Sequence, residues 1–531
     1  MDGSVRLAVS RGQLKPSRSV RLFGVAAVAA FLCLVARFWH PVYGFTAFLQ
    51  LDASNDSSKI AAFREMPVYV YRDTGGYDGL YYAQIAYHPL LRDPELRPAI
   101  DNLAYRARRI LPSALAWLAA AGRPAWIVQA YSVLNIAAWL ALAALLWRRL
   151  PVTDGRSAGA WAGVLFSAGA LVCVRLALTD LLAVTLVAAA LLAAERHGPA
   201  RSLGWLAAAG LTRETSLLAL PSVWTRPWCS WANVRRCAIA AAPLVLWLAY
   251  VRWRVGPSDA GLGNFAGPFA GWWEKWRASL AATRQLADPL LAWTTVLATA
   301  GLTVQAAYIV LAPRIGDRWW RLGAAYVVLF AFLGTAVWED YPGAVQRAVL
   351  PLTLAFNVLI ARRRGAAWWL VAGNLAVFAG LLPFRDVPSD NRELAAARSG
   401  AAACLAREGA GWYGTESLRL HRWAWGREQA AVEFECWPRS DRTVTLEFSL
   451  RSLEPRRVTV RQGSRVCWEG AVGRAKTAGR ATVVIAAGRA ELEFSTPTAG
   501  VPEDRKLGGR DLAFALYDPK VILAHDRSAA P

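Results

Sequence analysis

Asp78 is the residue of this sequence whose type and surroundings most directly suggest chemistry. It lies in the segment 71–86, YRDTGGYDGLYYAQIA, among aromatic and apolar residues. The pattern after the glycine pair predicts a helix over residues 77–87, in which Tyr77 adjoins Asp78 and Tyr82 shares its face. A carboxylate placed at a membrane surface could accept a proton from a hydroxyl nucleophile, or orient it. Alternatively, Asp78 is an acid in the first turn of a helix, where it satisfies the helix dipole.

A cluster of arginines follows in the same stretch. Residues 101–112 read DNLAYRARRILP and place Arg106, Arg108 and Arg109 directly before the apolar run 110–121. Guanidinium groups form forked hydrogen bonds to phosphate, so these residues could hold a phosphate leaving group. The combination with Asp78 suits transfer of a group from a lipid phosphate. The alternative is that the cluster only binds anionic lipid headgroups.

Further charged residues interrupt the apolar runs. Arg213 and Glu214 lie at the centre of the run 203–224, and Arg347 lies about one turn inside a later run. A charged side chain is costly there unless it faces a cavity, so we expect Arg213 and Arg347 to reach a donor phosphate, with Glu214 in support. Asp180, at the end of an apolar run, has the same two interpretations as Arg347: a place in the cavity, or snorkelling to the interface.

A second acidic pair is Glu339 and Asp340, within the string VWEDYPG at residues 337–343. Both stand at the predicted external end of an apolar run. They could hold a hydroxyl acceptor or a cation, or they could be carboxylates solvated at the membrane interface.

The strings YDGLYY (77–82) and YRARRILP (105–112) resemble bacterial glycosyltransferases of the GT-C superfamily with a "YDGxYY … YRxxRILxP" pattern. They are also distantly similar to the "WDxxxY" start of the GPI mannosyltransferase 2 group. LTRET (211–215) is similar to a turn between short membrane helices in many such enzymes. The resemblance covers about residues 20–385.

This resemblance implies a fold, a reaction and a donor. The fold would be a polytopic, mainly α-helical GT-C-like bundle, and the donor a sugar carried on a polyprenyl phosphate. Asp78 would be the catalytic carboxylate, and the sugar carbon would be inverted. Asp73 and Asp78 are five residues apart, so the loop lacks the Asp-x-Asp pair of some members. No metal ligands are therefore assigned, and Mg²⁺ or Mn²⁺ stays an open alternative.

The composition agrees with a membrane protein. Of the 531 residues, 55% are hydrophobic and only 18% are charged, which excludes a disordered chain and an ordinary soluble enzyme. Most of the net charge of +22 lies among the apolar runs and their loops, since residues 385–531 hold 23 basic and 19 acidic side chains. This distribution favours contact with membrane lipids over binding of nucleic acid.

Apolar runs long enough to cross a bilayer predict nine spans and one re-entrant hairpin between residues 22 and 384. The first run, 22–39, follows a basic cytoplasmic N-terminus (1–21) and is interpreted as an uncleaved signal anchor. The run 203–224 is interpreted as the hairpin, because arginines lie just outside both of its ends and so place both ends on the cytoplasmic side. The alternative is an ordinary span with an internal ion pair. The other spans are predicted at 126–146, 159–174, 181–194, 237–250, 289–311, 322–338, 343–360 and 368–384.

This arrangement places the long loop 40–109 and residues 385–531 on the same, external side. A long ordered loop on a membrane protein is usually functional. The prediction is a multi-pass protein of a bacterial inner membrane, with its N-terminus in the cytoplasm and its C-terminal domain in the periplasm.

Residues 385–531 change to short alternating runs, which predict an extracytoplasmic β-sandwich, similar to jelly-roll-like domains beside bacterial glycosyltransferases. Trp and Tyr residues in 412–416 and 422–425 could stack on sugars, although such residues more often belong to a core. Cys436 and Cys467 are a candidate disulfide in an oxidising periplasm, which would leave Cys404 over.

Three functions stay open from the sequence. The preferred one is a hexosyl or pentosyl transferase that acts on an extracytoplasmic glycan, lipid or protein acceptor. The second is a transporter or flippase for a lipid-linked glycan, which the cavity charges and half-helices suit equally well. The third is a non-catalytic anchor that displays a glycan-binding β-sandwich. The long external loop with its carboxylate on a surface helix favours the transferase.

Overall fold

The computed structural model describes residues 17–71, 74–150, 152–257, 261–285, 288–363, 367–388, 393–418, 421–503 and 509–523. Most of the predicted cytoplasmic N-terminus lies outside these residues, as does Asp73. Contacts divide the chain into two compact units. The helical unit comprises Met1–Phe38, Phe45–Ile60 and Val70–Val387, and the β unit comprises Trp39–Gly44, Ala61–Tyr69 and Pro388–Pro531.

Helices dominate the helical unit, and one short helix, α2 (Ala61–Arg64), belongs to the β unit. The α-helices of the described residues are α1 (Arg18–Ala36), α2 (Ala61–Arg64), α3 (Gly79–Ile85), α4 (Leu96–Ala99), α5 (Leu103–Arg106), α6 (Ile110–Ala119), α7 (Pro124–Arg149), α8 (Gly155–Leu165), α9 (Ala168–Arg175), α10 (Asp180–His197), α11 (Leu203–Thr212), α12 (Trp231–Arg254), α13 (Ala270–Gln285), α14 (Pro289–Leu311), α15 (Arg318–Phe332), α16 (Thr335–Trp338), α17 (Val345–Ala348), α18 (Leu350–Ala361), α19 (Ala367–Gly373) and α20 (Val377–Leu381). Short 3-10 helices lie at Thr46–Leu49, Ala53–Ser58, Pro199–Ser202, Glu214–Val223, Leu262–Asn264 and Leu382–Phe384.

Five helices in the described residues are long and apolar enough to cross a membrane: α1, α7, α12, α14 and the segment Ala367–Phe384, which contains α19 and α20. The pair α8 and α9 is bent by 41° and adds a sixth if it counts as one broken span. These helices support a membrane protein, because each is long enough for the hydrocarbon core of a bilayer.

The remaining predicted spans correspond to helices that are shorter than these candidates or carry more charged residues. α10 has 18 residues but carries Asp180, Glu195 and Arg196, and α15 has only 15 residues. α18 has 12 residues, all buried inside the protein. Its apolar composition therefore reflects contact with protein rather than lipid. Hydrophobic pattern alone does not separate a buried core helix from a span.

The predicted hairpin region contains a helix break at Arg213. α11 ends at Thr212, Arg213 has an extended backbone with φ −156° and ψ 123°, and the 3-10 helix Glu214–Val223 follows. The two helices pack against each other. Arg213 and Glu214 therefore lie at a junction between two helices rather than along one continuous helix.

The β unit contains two antiparallel sheets. Its strands, together with the short parallel pair β1 and β2 of the first loop, are β1 (Leu51–Asp52), β2 (Val70–Tyr71), β3 (Glu393–Ser399), β4 (Ala402–Glu408), β5 (Trp412–Leu418), β6 (His421–Gly426), β7 (Gln429–Trp437), β8 (Arg442–Arg451), β9 (Arg456–Gln462), β10 (Arg465–Val472), β11 (Thr477–Ile485), β12 (Arg489–Ser495), β13 (Val501–Pro502), β14 (Asp511–Leu512) and β15 (Phe514–Leu523). One sheet has the order β10-β9-β12-β7-β4-β3 and the other β11-β8-β15-β6-β5. Side chains of both sheets, among them Phe434, Leu450, Phe494 and Leu516, share one buried core. The predicted β-rich C-terminal region is thus present.

Two segments of the predicted first external loop, residues 40–109, also belong to the β unit. A small apolar cluster joins them to the strands: Val42, Tyr43, Ala403, Leu405 and Trp437. Nε2 of His40 lies 2.5 Å from Oε2 of Glu393, and Arg398 donates a hydrogen bond to the carbonyl of Val42 at 3.2 Å. The predicted boundary at residue 385 did not include these two segments.

The disulfide of the β unit joins Cys404 to Cys436, so the predicted pairing of Cys436 with Cys467 is wrong. Cys404 in β4 lies directly opposite Cys436 in the antiparallel partner strand β7. Cys467 is a free thiol on β10, and β9 and β12 separate β10 from β7. Strand order, which cysteine spacing does not reveal, decides the pairing.

Candidate active site

Asp52 holds the loop that leads into Asp78. Its carboxylate accepts hydrogen bonds from the backbone N–H and hydroxyl of Ser54, and from the N–H and hydroxyl of Thr74 at 2.7 and 2.9 Å. These bonds hold the pKa of Asp52 well below its usual range. Gly75 and Gly76 follow with φ of +72° and +76°, a conformation that favours glycine. The turn redirects the chain into α3.

Asp78 is the N-cap residue of α3, but its side chain makes no capping hydrogen bond. Instead, Oδ2 lies 3.0 Å from Nη1 of Arg106 and 3.6 Å from Nη2 of Arg347. About a quarter of the side chain stays exposed, at 23%. The carboxylate therefore contacts two guanidinium groups and remains accessible to a ligand.

Arg347 links Asp78 to a deeper carboxylate, Asp180. Nη1 of Arg347 lies 3.3 Å from Oδ2 of Asp180, and Arg213 donates a hydrogen bond to Oδ1. Only 2% of the Asp180 side chain is exposed. A buried carboxylate is stable only when it is paired, and the two arginines provide this pairing. Nε of Arg347 is buried without a hydrogen-bond partner in the part of the chain that the structure describes.

α7 holds the turn that precedes Asp180. Nδ2 of the buried Asn135 donates to the carbonyl of Cys173 at 2.9 Å and to the carbonyl of Leu178 at 2.6 Å. The carbonyls at a helix end lack partners within their own helix, so these bonds stabilise the end of α9 and the turn after it. They join α7 to the turn that directly precedes α10, whose first residue is Asp180.

Arg109 and Glu214 form a second, forked pair. Nε and Nη2 of Arg109 donate to the two Glu214 carboxylate oxygens at 3.1 and 3.0 Å. Arg109 also donates to the hydroxyls of Tyr82, at 3.0 Å, and Tyr105, at 3.3 Å. The pair connects the predicted first external loop to the junction after α11, although the two residues are 105 positions apart.

Arg106 is shared between Asp78 and Asp101. Its Nε and Nη2 donate to the two Asp101 oxygens at 3.1 and 2.7 Å. Burial alone would raise the pKa of Asp101, but the hydrogen bonds and charge of Arg106 leave it below its usual value. Burial alone would lower the pKa of Arg106, but its bonds with Asp101 and the charge of Asp78 raise it. Asp101 therefore helps to hold the guanidinium group of Arg106 beside Asp78.

Most of the residues predicted for the site converge in this cluster. Its predicted members are Tyr77, Asp78, Tyr82, Arg106, Arg109, Asp180, Arg213, Glu214 and Arg347. Tyr77 takes part through its ring, whose centroid lies 5.9 Å from the Arg347 guanidinium. Arg108 is next to the cluster, with its guanidinium 5.1 Å from the centroid of the Tyr105 ring.

Glu339 and Asp340 do not join the cluster. Both side chains are exposed, and neither forms an ion pair with the clustered arginines in the described residues. The Asp340 carbonyl instead accepts a hydrogen bond from the buried Lys275, whose Nζ also lies 5.2 Å from the centroid of the Tyr341 ring. Burial lowers the pKa of Lys275 to about 8.

Sequence reasoning missed Asp101, Tyr105 and Lys275. Asp101 and Tyr105 lie in the same short string as the arginines, so proximity to Arg106 was an available signal. Lys275 had no such signal, because its partners come from a turn that is 65 residues away.

Among the described residues, no three His, Cys, Asp or Glu side chains are grouped to hold a metal ion.

The arrangement can bind an anion and handle a proton. Four guanidinium groups and four carboxylates balance one another: Arg106, Arg109, Arg213, Arg347, Asp78, Asp101, Asp180 and Glu214. An entering phosphate could take hydrogen bonds from arginines such as Arg347, whose Nε has no partner in the described structure. Asp78 lies beside this anion site and could contact a hydroxyl group bound there.

The chain matches no protein-family model, and a search of curated proteins found no significant match. The function proposed below is therefore argued from the residues of the chain and their geometry.

Proposed function

We propose that this protein is a membrane glycosyltransferase. In this proposal it moves a sugar from a polyprenyl-phosphate donor to an extracytoplasmic glycan, lipid or protein acceptor, with inversion at the sugar carbon. The observation that carries the proposal is the contact of the partly exposed Asp78 with Arg106 and Arg347. A carboxylate next to several phosphate-binding groups is what such a transfer requires.

The proposed reaction is one displacement. The acceptor hydroxyl oxygen attacks the anomeric carbon of the donor and forms the new glycosidic bond. The bond between that carbon and the phosphate oxygen breaks, and the electron pair leaves with the polyprenyl phosphate. Asp78 takes the hydroxyl proton, while Arg347 and Arg106 stabilise the charge on the leaving phosphate. Attack and departure on opposite faces of the carbon produce the inversion.

Two features support the proposed setting. The apolar helices suit a lipid-linked donor, whose polyprenyl chain would stay in the bilayer. The Cys404–Cys436 disulfide suits an oxidising compartment such as the bacterial periplasm. Both agree with an inner-membrane protein whose first loop and β unit are external.

The test is Asp78→Asn in the full chain, purified in lipid nanodiscs. We expect the release of polyprenyl phosphate from a panel of polyprenyl-phosphate sugars to fall at least about a hundredfold, because a positioned acid or base contributes about that much. The matched control is Asp93→Asn, which alters another carboxylate of the same loop, paired with His88 at 3.1 Å. Full activity of a folded Asp78→Asn protein would overturn the role of Asp78.

A second candidate function is transport of a lipid-linked glycan. The helix break at Arg213 favours it, because broken helices with charged junctions line substrate sites in transporters. Liposomes that contain the protein distinguish the two. Movement of the lipid-linked glycan across the bilayer without a new glycosidic product would favour transport over transfer.

A further inference from the structure

Three arginines of the helical unit surround the turn that precedes α12. Arg318 and Arg321, at the start of α15, both donate a hydrogen bond to the carbonyl oxygen of Ser222, each at 3.2 Å. Arg236, near the start of α12, donates to the hydroxyl of Thr225 at 2.8 Å. Because their acceptors lie within one short stretch of chain, the three guanidinium groups are neighbours. These three residues are called the arginine triad below.

The turn itself is held firmly in place. Nδ2 of the buried Asn233 donates to the carbonyls of Thr225, at 2.8 Å, and of Trp228, at 3.0 Å. Its Oδ1 accepts the backbone N–H of Thr225 at 3.1 Å. The ring of Trp228 covers the guanidinium of Arg321, with 4.8 Å between that group and the ring centroid. The groups that anchor the triad are therefore positioned before any ligand binds.

Arg236 and Arg318 keep most of their donors available. The hydrogen bonds of Arg236 to Thr225 and Asn233 both use Nη1, and the bond of Arg318 to Ser222 also uses Nη1. In the described part of the chain, Nε and Nη2 of both arginines make no hydrogen bond, and both side chains are half-buried. Nε and Nη2 form the fork that matches two oxygens of a phosphate. Contact with the turn thus explains Nη1 but leaves two forks unoccupied.

The carboxylates near the triad are engaged elsewhere. Glu195 and Asp317 are close enough for their charges to act on it. The two oxygens of Glu195 accept hydrogen bonds from Arg362 at 3.0 and 3.1 Å, and Asp317 accepts the backbone N–H of Trp319 at 2.8 Å. No member of the triad forms an ion pair with a carboxylate among the residues that the structure describes.

The other charges of the surrounding segments are positive. Residues 222–236 contain no acidic residue, and residues 311–321 contain only Asp317. The further basic residues of these segments are Arg226, Arg235 and Arg314. Within the triad, the charges of Arg236 and Arg318 repel each other, as do those of Arg318 and Arg321. Nε of Arg321 is also buried without a partner in the described structure. A bound anion would relieve this repulsion.

The surface beside the triad is apolar. α12 is one of the candidate spans, and its exposed residues Trp231 and Val234 lie close to Arg236 along the helix. Leu311 and Ile315, just before α15, are exposed as well. Arginines next to apolar surface at the end of a span are placed as a lipid requires, with its acyl chains along the helix and its phosphate at the guanidinium groups. A free anion would make no use of the apolar surface.

The triad is distant from the cluster around Asp78. α10 begins at Asp180, which belongs to that cluster, and ends near Glu195, whose Oε1 accepts a hydrogen bond from Nε1 of Trp319 at 2.7 Å. The helical rise between Asp180 and Glu195 is about 22 Å. The two sites therefore lie at opposite ends of α10. In the predicted orientation, the end with the triad faces the cytoplasm.

We propose that the arginine triad binds the phosphate of an anionic phospholipid, with Arg236 and Arg318 each donating hydrogen bonds from Nε and Nη2. The acyl chains would lie along the exposed face of α12. The site is separate from the proposed active site, and its occupation does not depend on glycosyl transfer.

The test is native mass spectrometry of the full chain, purified in detergent and titrated with dioleoylphosphatidylglycerol. We expect the first molecule to bind at least about tenfold more tightly than dioleoylphosphatidylcholine, which has the same acyl chains and no net charge; tenfold is equivalent to about 1.4 kcal/mol. Arg236→Gln and Arg318→Gln should each weaken binding of phosphatidylglycerol by about as much. Arg236→Lys should weaken it too, because an ammonium group keeps the charge but loses the fork.

The matched control is Arg235→Gln, which removes the same charge from an exposed neighbouring position and should bind phosphatidylglycerol as wild type does. Thermal unfolding establishes that each variant is folded. Equal weakening by Arg235→Gln and Arg236→Gln would overturn the proposal, because binding would then follow net charge alone. Wild-type binding by Arg236→Gln or Arg236→Lys would do so too, as would equal affinity for the two lipids. If inorganic phosphate displaces phosphatidylglycerol at equal concentration, the site takes free phosphate, and the assignment to a lipid is wrong.

Discussion

At the scale of single residues, Arg347 contacts both an accessible carboxylate and a buried one. Asp78 is partly exposed, whereas Asp180 lies deeper and contacts Arg213 as well. A ligand phosphate that draws Arg347 away from Asp78 can leave its contact with Asp180 intact. Asp180 therefore keeps two arginines in place while the accessible contacts change, which makes it a positioning residue.

We predict that Asp180→Asn destabilises the protein by about 3–5 kcal/mol, because it leaves two buried guanidinium groups without their shared charge partner. Thermal unfolding in nanodiscs measures the change. The control Asp288→Asn removes a carboxylate from an exposed pair with Arg385, and its cost should stay below about 1 kcal/mol. Equal losses in the two variants would contradict the role given to Asp180.

Lys275 leads to a pH prediction. Folding lowers its pKa to about 8, below the usual value of 10.5, so the folded chain binds fewer protons than the unfolded chain between these pH values. The contribution of this residue to the free energy of unfolding therefore rises with pH across that window. Below pH 8 its burial carries the full cost, and above pH 10.5 the cost disappears.

Lys275→Met removes the buried charge. The melting temperature of the variant relative to wild type should therefore be higher at pH 7 than at pH 10, by the equivalent of about 2–3 kcal/mol. Differential scanning fluorimetry at both pH values gives the comparison. A difference that stays constant with pH would show that folding does not disfavour the charged form of Lys275.

At the scale of elements, the position of α3 depends on one close approach. A Cβ on Gly79 would lie 2.6 Å from the carbonyl oxygen of Leu176, in the turn after α9. Both sides of this contact are backbone, so neither can move without moving its element. The approach brings the start of α3, which carries Asp78, against the turn that leads to Asp180.

Gly79→Ala should therefore displace α3 and cost about 1–3 kcal/mol, as overpacking usually does. Asp78 would move with the helix, so we expect the proposed transferase activity to fall more than stability alone explains. Thermal unfolding and turnover are measured together. Gly155→Ala is the control, because nothing lies within 4 Å of the added Cβ and alanine suits a helix. Wild-type behaviour of Gly79→Ala would contradict this packing.

The sequence allowed prediction of those parts of the site that lie close together along the chain. Asp78, Arg106 and Arg109 belong to two short strings of one loop, and all three lie in the cluster. Asp180 and Arg347 were named because charge is costly in apolar surroundings, and Arg213 for that reason and for its place in the LTRET string; neither kind of reasoning indicates which of them meet. The contact between Asp180 and Arg347 spans 167 positions, and only the packing of α9, α10 and α17 brings it about.

The sequence was limited in the same way for helices and strands, because it indicated their type but not their neighbours. Hydrophobic pattern located the helices, but it could not distinguish α18, which is enclosed by protein, from a helix that faces lipid. Alternation indicated strands in residues 385–531, but it could not give their order, so the disulfide partner of Cys436 was mistaken. Local patterns determine element type, whereas neighbours are determined by contacts between distant segments.

At the scale of the whole molecule, the β unit draws on more of the chain than its strands. Residues Trp39–Gly44 and Ala61–Tyr69 belong to it, and between them the chain returns to the helical unit. Val42 and Tyr43 cover Leu405 and Trp437 within the β unit. Removal of the loop segments would expose these side chains to water.

We predict that a fragment of residues 388–531 alone is soluble only at low concentration and melts below the β unit of the full chain. Loss of the cluster around Val42 and Tyr43 exposes apolar surface, at about 25 cal/mol per Å². Size-exclusion chromatography and thermal unfolding of the fragment are the measurements. A monomeric fragment as stable as the unit in the full chain would contradict the part given to the loop segments.

The interleaved chain also bears on how such a protein could arise. A domain encoded in one continuous stretch can be gained or lost by a single joining of genes at the end of a coding sequence. Here the β unit needs two pieces of a loop that also carries Asp78, so adding or deleting the final 144 residues changes the surroundings of that loop. The strands and the loop would be expected to be inherited together, and exchange of the strands between related proteins should require exchange of the loop as well.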